Sequence, residues 1–388
     1  MRLRYLDGLR GLAAAVVIDH YMISYFPAAV NIDAPAHHAG FEQVVERTPL
    51  HLLVAGNFAV CIFFVLSGFV LSTKFFTKHN RGDLLASATK RYGRLALPVA
   101  ASVMVAFVLI KLHAFHNVTL EQQTGSLWLL RFWRSNPSFW GALYHGFAGV
   151  FTSGQSDAFN TVLWTMKIEL MGSFLVIAVL LACGRWRYRA VVYALLGLIF
   201  FRSYYVTFVA GSALCDLFHW QAGSPALVKK LKKALQKGWW LPLLLLSLYL
   251  GSCPVDRLSG TLFAYVHLPF GMPVALTAHV LGAVGLTLAV LYAQPLQKFL
   301  ARERLARFGD VSFSLYLTHL FVLGTFAAVA FTWLRPRTSY GWAFLLMIGP
   351  SLALTWLVAK LFMKYIDLKA IILTNAMYGK LVKIYRGL

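Results

Sequence analysis

The stretch Asp7–Phe26, DGLRGLAAAVVIDHYMISYF, is apolar over the length of a membrane span and yet carries ionisable side chains. Arg10 stands near its start, and Asp19 and His20 stand side by side within it. Burying an ionisable group in a bilayer is costly, so such residues are usually paired, hydrated or functional. We therefore take Asp19 and His20 as candidates for a functional site. The competing interpretation is that Arg10 only orients the segment and that His20 only packs.

The composition of the whole chain is that of a membrane protein. Of its 388 residues 59% are hydrophobic and only 13% are charged, and the formal net charge is +22. No soluble domain of this length covers so much apolar surface, so lipid must be part of its solvent. Basic connections orient membrane proteins, and this explains the charge without nucleic acid as a partner. The four cysteines form no C-x-x-C pair, so we expect neither a disulfide framework nor a metal site.

Apolar segments separated by basic connections predict an all-α polytopic protein with about ten transmembrane helices. The predicted spans lie near 9–29, 55–76, 95–112, 163–183, 188–202, 204–219, 239–253, 271–293, 311–333 and 341–363. Lysine and arginine concentrate at the N-terminus and after the even-numbered spans, which places both termini in the cytoplasm. We predict a single domain over residues 1–388. Its residues 364–388 would form a basic cytoplasmic tail, lying as an amphipathic helix on the inner leaflet.

The longest extracytoplasmic connection, residues 113–162, is rich in aromatic side chains and has no run of charges. These residues include Trp128, Trp133, Trp140 and Tyr144. Aromatic residues at this density favour a surface folded onto the membrane interface. The competing interpretation is that they stack on an acceptor such as a sugar ring.

Two further motifs lie within the second span and just before the third. Ser67 and Gly68 are small residues that allow another helix to approach, and this explains Ser67 better than a nucleophile without an adjacent base. Arg91 and Arg94 are three positions apart and project from one helix face at the cytoplasmic edge. Guanidinium groups bind phosphate through paired hydrogen bonds, so the two arginines suit a nucleotide-bearing donor such as coenzyme A. The competing interpretation is orientation charge alone.

Two later spans also carry polar side chains. Glu169 lies well inside the fourth span, and its nearest charged neighbour in sequence does not face it on a helix. We therefore expect Arg10 or His20 to be the partner of Glu169. The stretch VSFSLYLTH in the ninth span places Tyr316 and His319 among apolar residues.

Together these stretches resemble the signatures of the acyltransferase-3 family of integral membrane acyltransferases, in the same order, over positions 5–320. The continuation ELMGS after the tryptophan motif is closer to the fungal branch. The resemblance implies a ten-span fold without a metal. It also implies transfer of an acyl group, commonly acetyl, from cytoplasmic acyl-CoA to a hydroxyl of a sugar, glycan or small acceptor. The essential histidine of the family maps onto His20, and its essential arginine onto Arg10.

Nine residues separate Arg10 from His20, whereas the family usually has ten, and on a regular helix this rotates the pair apart. Either Arg10 precedes the regular helix or a local distortion restores the register. We expect His20 to act as general base, with Glu169 as its orienting carboxylate. A covalent acyl-histidine is the competing chemistry. Asp19, Ser67, Tyr316 and His319 would support the site or contact substrate.

The competing function is a proton-coupled small-molecule transporter. Asp19, His20 and Glu169 would then form a proton relay within the membrane. Against it, the sequence shows neither inverted repeats nor paired broken helices. The sequence predicts an integral multi-pass membrane protein. It leaves open whether this is a plasma-membrane or an internal-membrane protein, its oligomeric state, the acceptor and the acyl chain length.

Overall fold

The computed structural model describes residues 3–26, 38, 41–154, 158–220, 226–255 and 258–386, and at residues 24, 25, 227 and 383–386 the backbone only. Over this part of the chain the regular structure is helical and no strand occurs. The helices of seven or more residues are Arg4–Asp19, Phe41–Arg47, Gly56–Lys78, Arg81–Lys111, Asn117–Thr124, Trp164–Cys183, Arg189–Ile199, Tyr205–His219, Ala226–Ala234, Trp240–Gly251, Val274–Tyr292, Gln294–Leu300, Glu303–Val322, Ala328–Leu334, Tyr340–Phe362 and Leu368–Arg386. Short π-helical turns occur at His20–Tyr25, His145–Gly149, Leu235–Trp239, Leu323–Ala327 and Met363–Asp367.

Within the described residues, six helical segments are long and apolar enough to cross a membrane. They are Gly56–Lys78, Arg81–Lys111, Thr161–Cys183, Val274–Tyr292, Glu303–Leu334 and Tyr340–Val382. The spans expected near 188–202, 204–219 and 239–253 instead form helices of 11, 15 and 12 residues. Such helices are about 17 to 23 Å long, against a hydrocarbon core of about 30 Å. The structure thus supports an all-helical membrane protein, and the count of ten spans stays a prediction.

The chain groups into two compact units, each described here by itself. The first consists of Met1–Val17, Arg47–Ala88 and Met171–Asp310. Its opening helix packs backbone to backbone against the segment around residues 300–309. A methyl group on Gly8 would overlap the carbonyl oxygen of Leu300, and one on Gly309 would overlap that of Asp7. Glycine is required here because no side chain fits between the two backbones.

A second glycine contact in the first unit joins the helices Gly56–Lys78 and Tyr205–His219. A methyl group on Gly68 would overlap the carbonyl oxygen of Phe208, and one on Gly211 would overlap that of Val65. The packing interpretation of the Ser67-Gly68 pair therefore holds for Gly68.

The second unit consists of Ile18–Glu46, Thr89–Leu170 and Val311–Leu388. Its segment 139–152 is helical, although the sequence predicts a connection lying on the membrane surface. This segment runs antiparallel to the helix Arg81–Lys111. The contacts in order are Phe139 with Phe107, Gly146 with Ala100, and Phe151 with Tyr92. Residues 139–152 therefore lie alongside an apolar helix and are not spread as a surface loop.

The predicted tail is helical over its described residues. After the π-helical turn Met363–Asp367 the chain continues directly into the helix Leu368–Arg386. A methyl group on Gly93 would touch Thr374, and the Lys90 Nζ atom lies 5.0 Å from the centre of the Tyr378 ring. The tail thus packs against the beginning of the helix Arg81–Lys111, and its position on the inner leaflet stays a prediction.

Candidate active site

Arg91 and Glu169 form an ion pair in the second unit, between the helices Arg81–Lys111 and Trp164–Cys183. Each side chain is only 15% exposed. The sequence predicts Arg10 or His20 as the partner of Glu169, and the partner seen in the structure is Arg91. Sequence spacing does not reveal this pair, because the two residues are 78 positions apart. A largely buried pair of this kind is costly to break, since the remaining charge then loses its ion-pair partner.

Arg94 has different surroundings from Arg91, although it lies on the same helix. Its side chain is exposed, and its positive charge acts on the carboxylate of Asp367. Of the two arginines predicted to hold a phosphate, only Arg94 is exposed. Arg91 is engaged with Glu169.

His20 begins the π-helical turn His20–Tyr25, in which the backbone N–H of Phe26 donates to the carbonyl of Tyr21 over 2.9 Å. Arg10 lies inside the regular helix Arg4–Asp19, so the first explanation of the shortened spacing is wrong. The distortion exists, but it begins at His20 and leaves the nine intervening residues in regular helix. π-Helical turns are frequent at functional sites.

Three aromatic side chains surround the ring of Tyr21, which follows His20. Ring centres lie 5.1 Å apart for His20 and Tyr21, 5.3 Å for Tyr21 and Trp128, and 5.2 Å for Tyr21 and His319. Tyr21 and Trp128 are both partly exposed. Trp128, from the aromatic-rich connection 113–162, thus contacts the same ring as His20 and His319.

His319 is completely buried, and its Nδ1 atom lies 2.9 Å from the carbonyl oxygen of Leu315. A carbonyl oxygen only accepts, so Nδ1 must carry the hydrogen and Nε2 must be the acceptor nitrogen. No residue of the described part of the chain hydrogen-bonds to this Nε2. His319 therefore presents a buried acceptor with a fixed tautomer.

Tyr316 links two helices through its hydroxyl. This hydroxyl donates to the carbonyl of Val162 over 2.7 Å and lies 2.8 Å from the Thr165 hydroxyl. These contacts give Tyr316 a supporting role in the structure. Arg10 and the half-buried Ser67 belong to the first unit, and Asp19 is the half-buried last residue of its helix. Contributions of Arg10, Asp19 and Ser67 to catalysis stay predictions.

Asn160 is a structural residue that the sequence analysis does not identify. It is buried, and its Nδ2 atom donates to the Ser102 hydroxyl over 3.0 Å and to the carbonyl of Leu317 over 2.9 Å. It thereby joins the helix that carries Ser102 to the helix that carries Leu317. Leu317 lies two residues before His319. A single asparagine in a connection carries no sequence signal for such a role.

Comparisons with known proteins indicate the family of the chain. The chain is 26% identical to "Acyltransferase clz18" of Cochliobolus lunatus, over 87% of this chain and 86% of that protein. It is 25% identical to "Acyltransferase R4" of a Phoma species, over 85% and 84%, and 25% identical to "O-acetyltransferase PaAT-1" of Phomopsis amygdali, over 83% and 72%. No solved structure matches the chain.

The acyltransferase-domain model of the acyltransferase-3 family matches residues 3–360, which is nearly the whole chain. The match includes the ion pair Arg91–Glu169, the π-helical turn at His20, and His319. An enzyme is therefore favoured over a transporter without chemistry. The chain belongs to the acyltransferase-3 family and is an acyltransferase.

Proposed function

We propose that the chain is a multi-pass membrane O-acyltransferase that moves an acetyl group from cytoplasmic acetyl-CoA to a hydroxyl of a sugar, glycan or other small acceptor. The family match over residues 3–360 carries the reaction class, and the similarity to a protein named O-acetyltransferase supports an oxygen acceptor. The ten predicted spans and the cytoplasmic termini are part of this proposal, because a cytoplasmic donor must reach the site from the basic side.

In the proposed reaction, the neutral imidazole of His20 removes the proton of the acceptor hydroxyl as its oxygen attacks the thioester carbonyl carbon. The new C–O bond forms, the C–S bond breaks, and the proton passes from the imidazolium to the leaving thiolate. A histidine has an ordinary pKa near 6.5, so it can accept and return a proton at neutral pH. Attack by His20 itself, which gives an acyl-histidine, is the competing chemistry.

Glu169 orients the imidazole of His20 in this mechanism. The ion pair with Arg91 supports that role, because it holds the carboxylate in one place within a protein environment that excludes most water. The exposed Arg94 would then bind the phosphates of coenzyme A. Arg91 then positions the carboxylate of Glu169, and Arg94 binds the donor.

The test uses purified protein in detergent, labelled acetyl-CoA and a panel of alcohols. Release of the coenzyme A thiol and label in the product are both measured. We expect the His20→Ala variant to lose at least a hundredfold of the rate, which is the usual contribution of a general base. His267→Ala is the matched control, because His267 is an exposed histidine. Equal turnover by wild type and His20→Ala would refute the role of His20.

A further inference from the structure

The Nε2 atom of His319 is a buried hydrogen-bond acceptor that the mechanism above does not use. Its side chain is 0% exposed, and within the described ranges no donor reaches Nε2. Leaving a buried polar atom without a partner costs stability, so such atoms often mark a place where a ligand completes the hydrogen bonds. Because Nδ1 donates to Leu315, the missing partner must be a donor.

The ring of Tyr21 connects this hydrogen-bond acceptor on His319 to His20, the proposed general base. The imidazoles of His20 and His319 both contact the phenol ring of Tyr21, at 5.1 and 5.2 Å between ring centres. One small molecule can bridge two groups that contact the same ring. The other rings nearby are those of Trp128, 5.3 Å from Tyr21, and Tyr316, 6.2 Å from His319.

We propose that His319 binds a second hydroxyl of the acceptor, next to the hydroxyl that is acetylated. An alcohol has one O–H hydrogen, and in the reaction above that hydrogen goes to His20. A second hydroxyl of the same molecule can supply the donor for the Nε2 atom of His319. The bonds made and broken are those already given, and His319 takes no proton.

The surroundings also define the acceptor class. Tyr21 and Trp128 offer partly exposed aromatic faces, which pack well against the flat faces of rings. The acceptor is accordingly a ring that carries hydroxyls on adjacent carbons. This inference rests on the proposed O-acetyl transfer.

Two probe alcohols that differ by one hydroxyl test the inference. They are cis-cyclohexane-1,2-diol and cyclohexanol, each given with acetyl-CoA, and kcat/KM is measured for both. We expect wild type to prefer the diol by about tenfold or more, the effect of one hydrogen bond to a buried group. In the His319→Asn variant the amide nitrogen can still donate to Leu315 but nothing replaces Nε2, so the preference should vanish. His319→Gln places an amide oxygen near the Nε2 position and should restore part of the preference.

The outcomes separate the two proposals. Acetyl-CoA consumption without preference for the diol in wild type, or an equal preference in His319→Asn, would overturn the role of His319 and leave the proposed function intact. No consumption of acetyl-CoA with any alcohol would refute the proposed function and this inference with it. The KM for acetyl-CoA should be unchanged in His319→Asn, whereas a general loss of structure would alter it.

A substitution at a partly exposed residue keeps the inference testable if the His319 variants do not fold. Trp128→Leu should lower kcat/KM for cis-cyclohexane-1,2-diol several-fold more than for ethane-1,2-diol, which has no ring. Trp140→Leu is the control, because Trp140 is 74% exposed. Equal losses for both diols in Trp128→Leu would contradict ring recognition.

Discussion

Arg91 and Arg94 show how two residues of one motif can have different surroundings. They are three positions apart on one helix, yet Arg91 is paired with Glu169 and Arg94 is exposed. The sequence identifies both as cations suited to phosphate. It does not identify the ion pair, because the partner of Arg91 lies on another helix. At the scale of the residue, type and helix face are predictable from sequence, but the partner across the fold is not.

The ion pair predicts a specific pattern of stabilities. Arg91→Gln and Glu169→Gln should each lower the free energy of unfolding by about 2–4 kcal/mol, because each removes one side of a largely buried ion pair. The double variant should lose less stability than the sum of the two single losses, because neither charge remains. Thermal unfolding in detergent measures all three variants. Additive losses would mean that the two side chains do not interact.

Substitution of Arg94 is expected to change the kinetics without changing the structure. Arg94→Gln should raise the KM for acetyl-CoA about tenfold with little change in kcat, because it removes a contact to phosphate that exists before and after the transition state. The exposed cation Arg187 gives the control Arg187→Gln. An unchanged KM in Arg94→Gln would leave this arginine with an orienting role only.

At the scale of the helix, glycines decide where two backbones meet. Gly8 and Gly309 occupy positions where any side chain would overlap a carbonyl oxygen of the facing segment. The sequence shows the glycines of the DGLRG motif but not the segment that they face. Helix lengths are also not predictable from the sequence, because an apolar composition indicates burial or lipid contact without fixing where each helix ends.

Gly309→Ala should therefore destabilise the protein by about 1–3 kcal/mol, the usual cost of forcing extra volume into a packed contact. Gly379→Ala is the matched control, because Gly379 lies inside the helix Leu368–Arg386 with open space around it. Alanine favours helix over glycine, so this control should be neutral or slightly stabilising. Both are compared by their unfolding temperatures in detergent. Equal temperatures would contradict the close approach at Gly309.

At the scale of the whole molecule, composition predicted the class of fold and the order of the motifs predicted the family. The count of ten spans is not established, since helices such as Arg189–Ile199 are short. Residues 139–152 belong to the connection predicted, from its aromatic residues, to fold onto the membrane interface, and the structure shows them packed along a neighbouring helix. Contacts of this kind join segments that are far apart in sequence, so the order of residues alone does not predict them.

The charge distribution predicts that both termini face the cytoplasm. A protease-cleavable tag is placed at each terminus, and the protease is added outside sealed, right-side-out vesicles. We expect the terminal tags to be cut only after the membrane is permeabilised. A tag inserted in residues 334–340, the predicted connection on the opposite side, should be cut without permeabilisation. Cleavage of a terminal tag in sealed vesicles would contradict this orientation.

The glycines of the opening motif have a consequence for how relatives are recognised. Gly8 is needed for a helix crossing, whereas His20 is proposed for proton transfer. A descendant that exchanged His20 for another residue would keep the crossing, and with it much of the signature by which such chains are found. Membership judged from this motif therefore reports inherited architecture, and catalytic competence has to be checked separately at the imidazole.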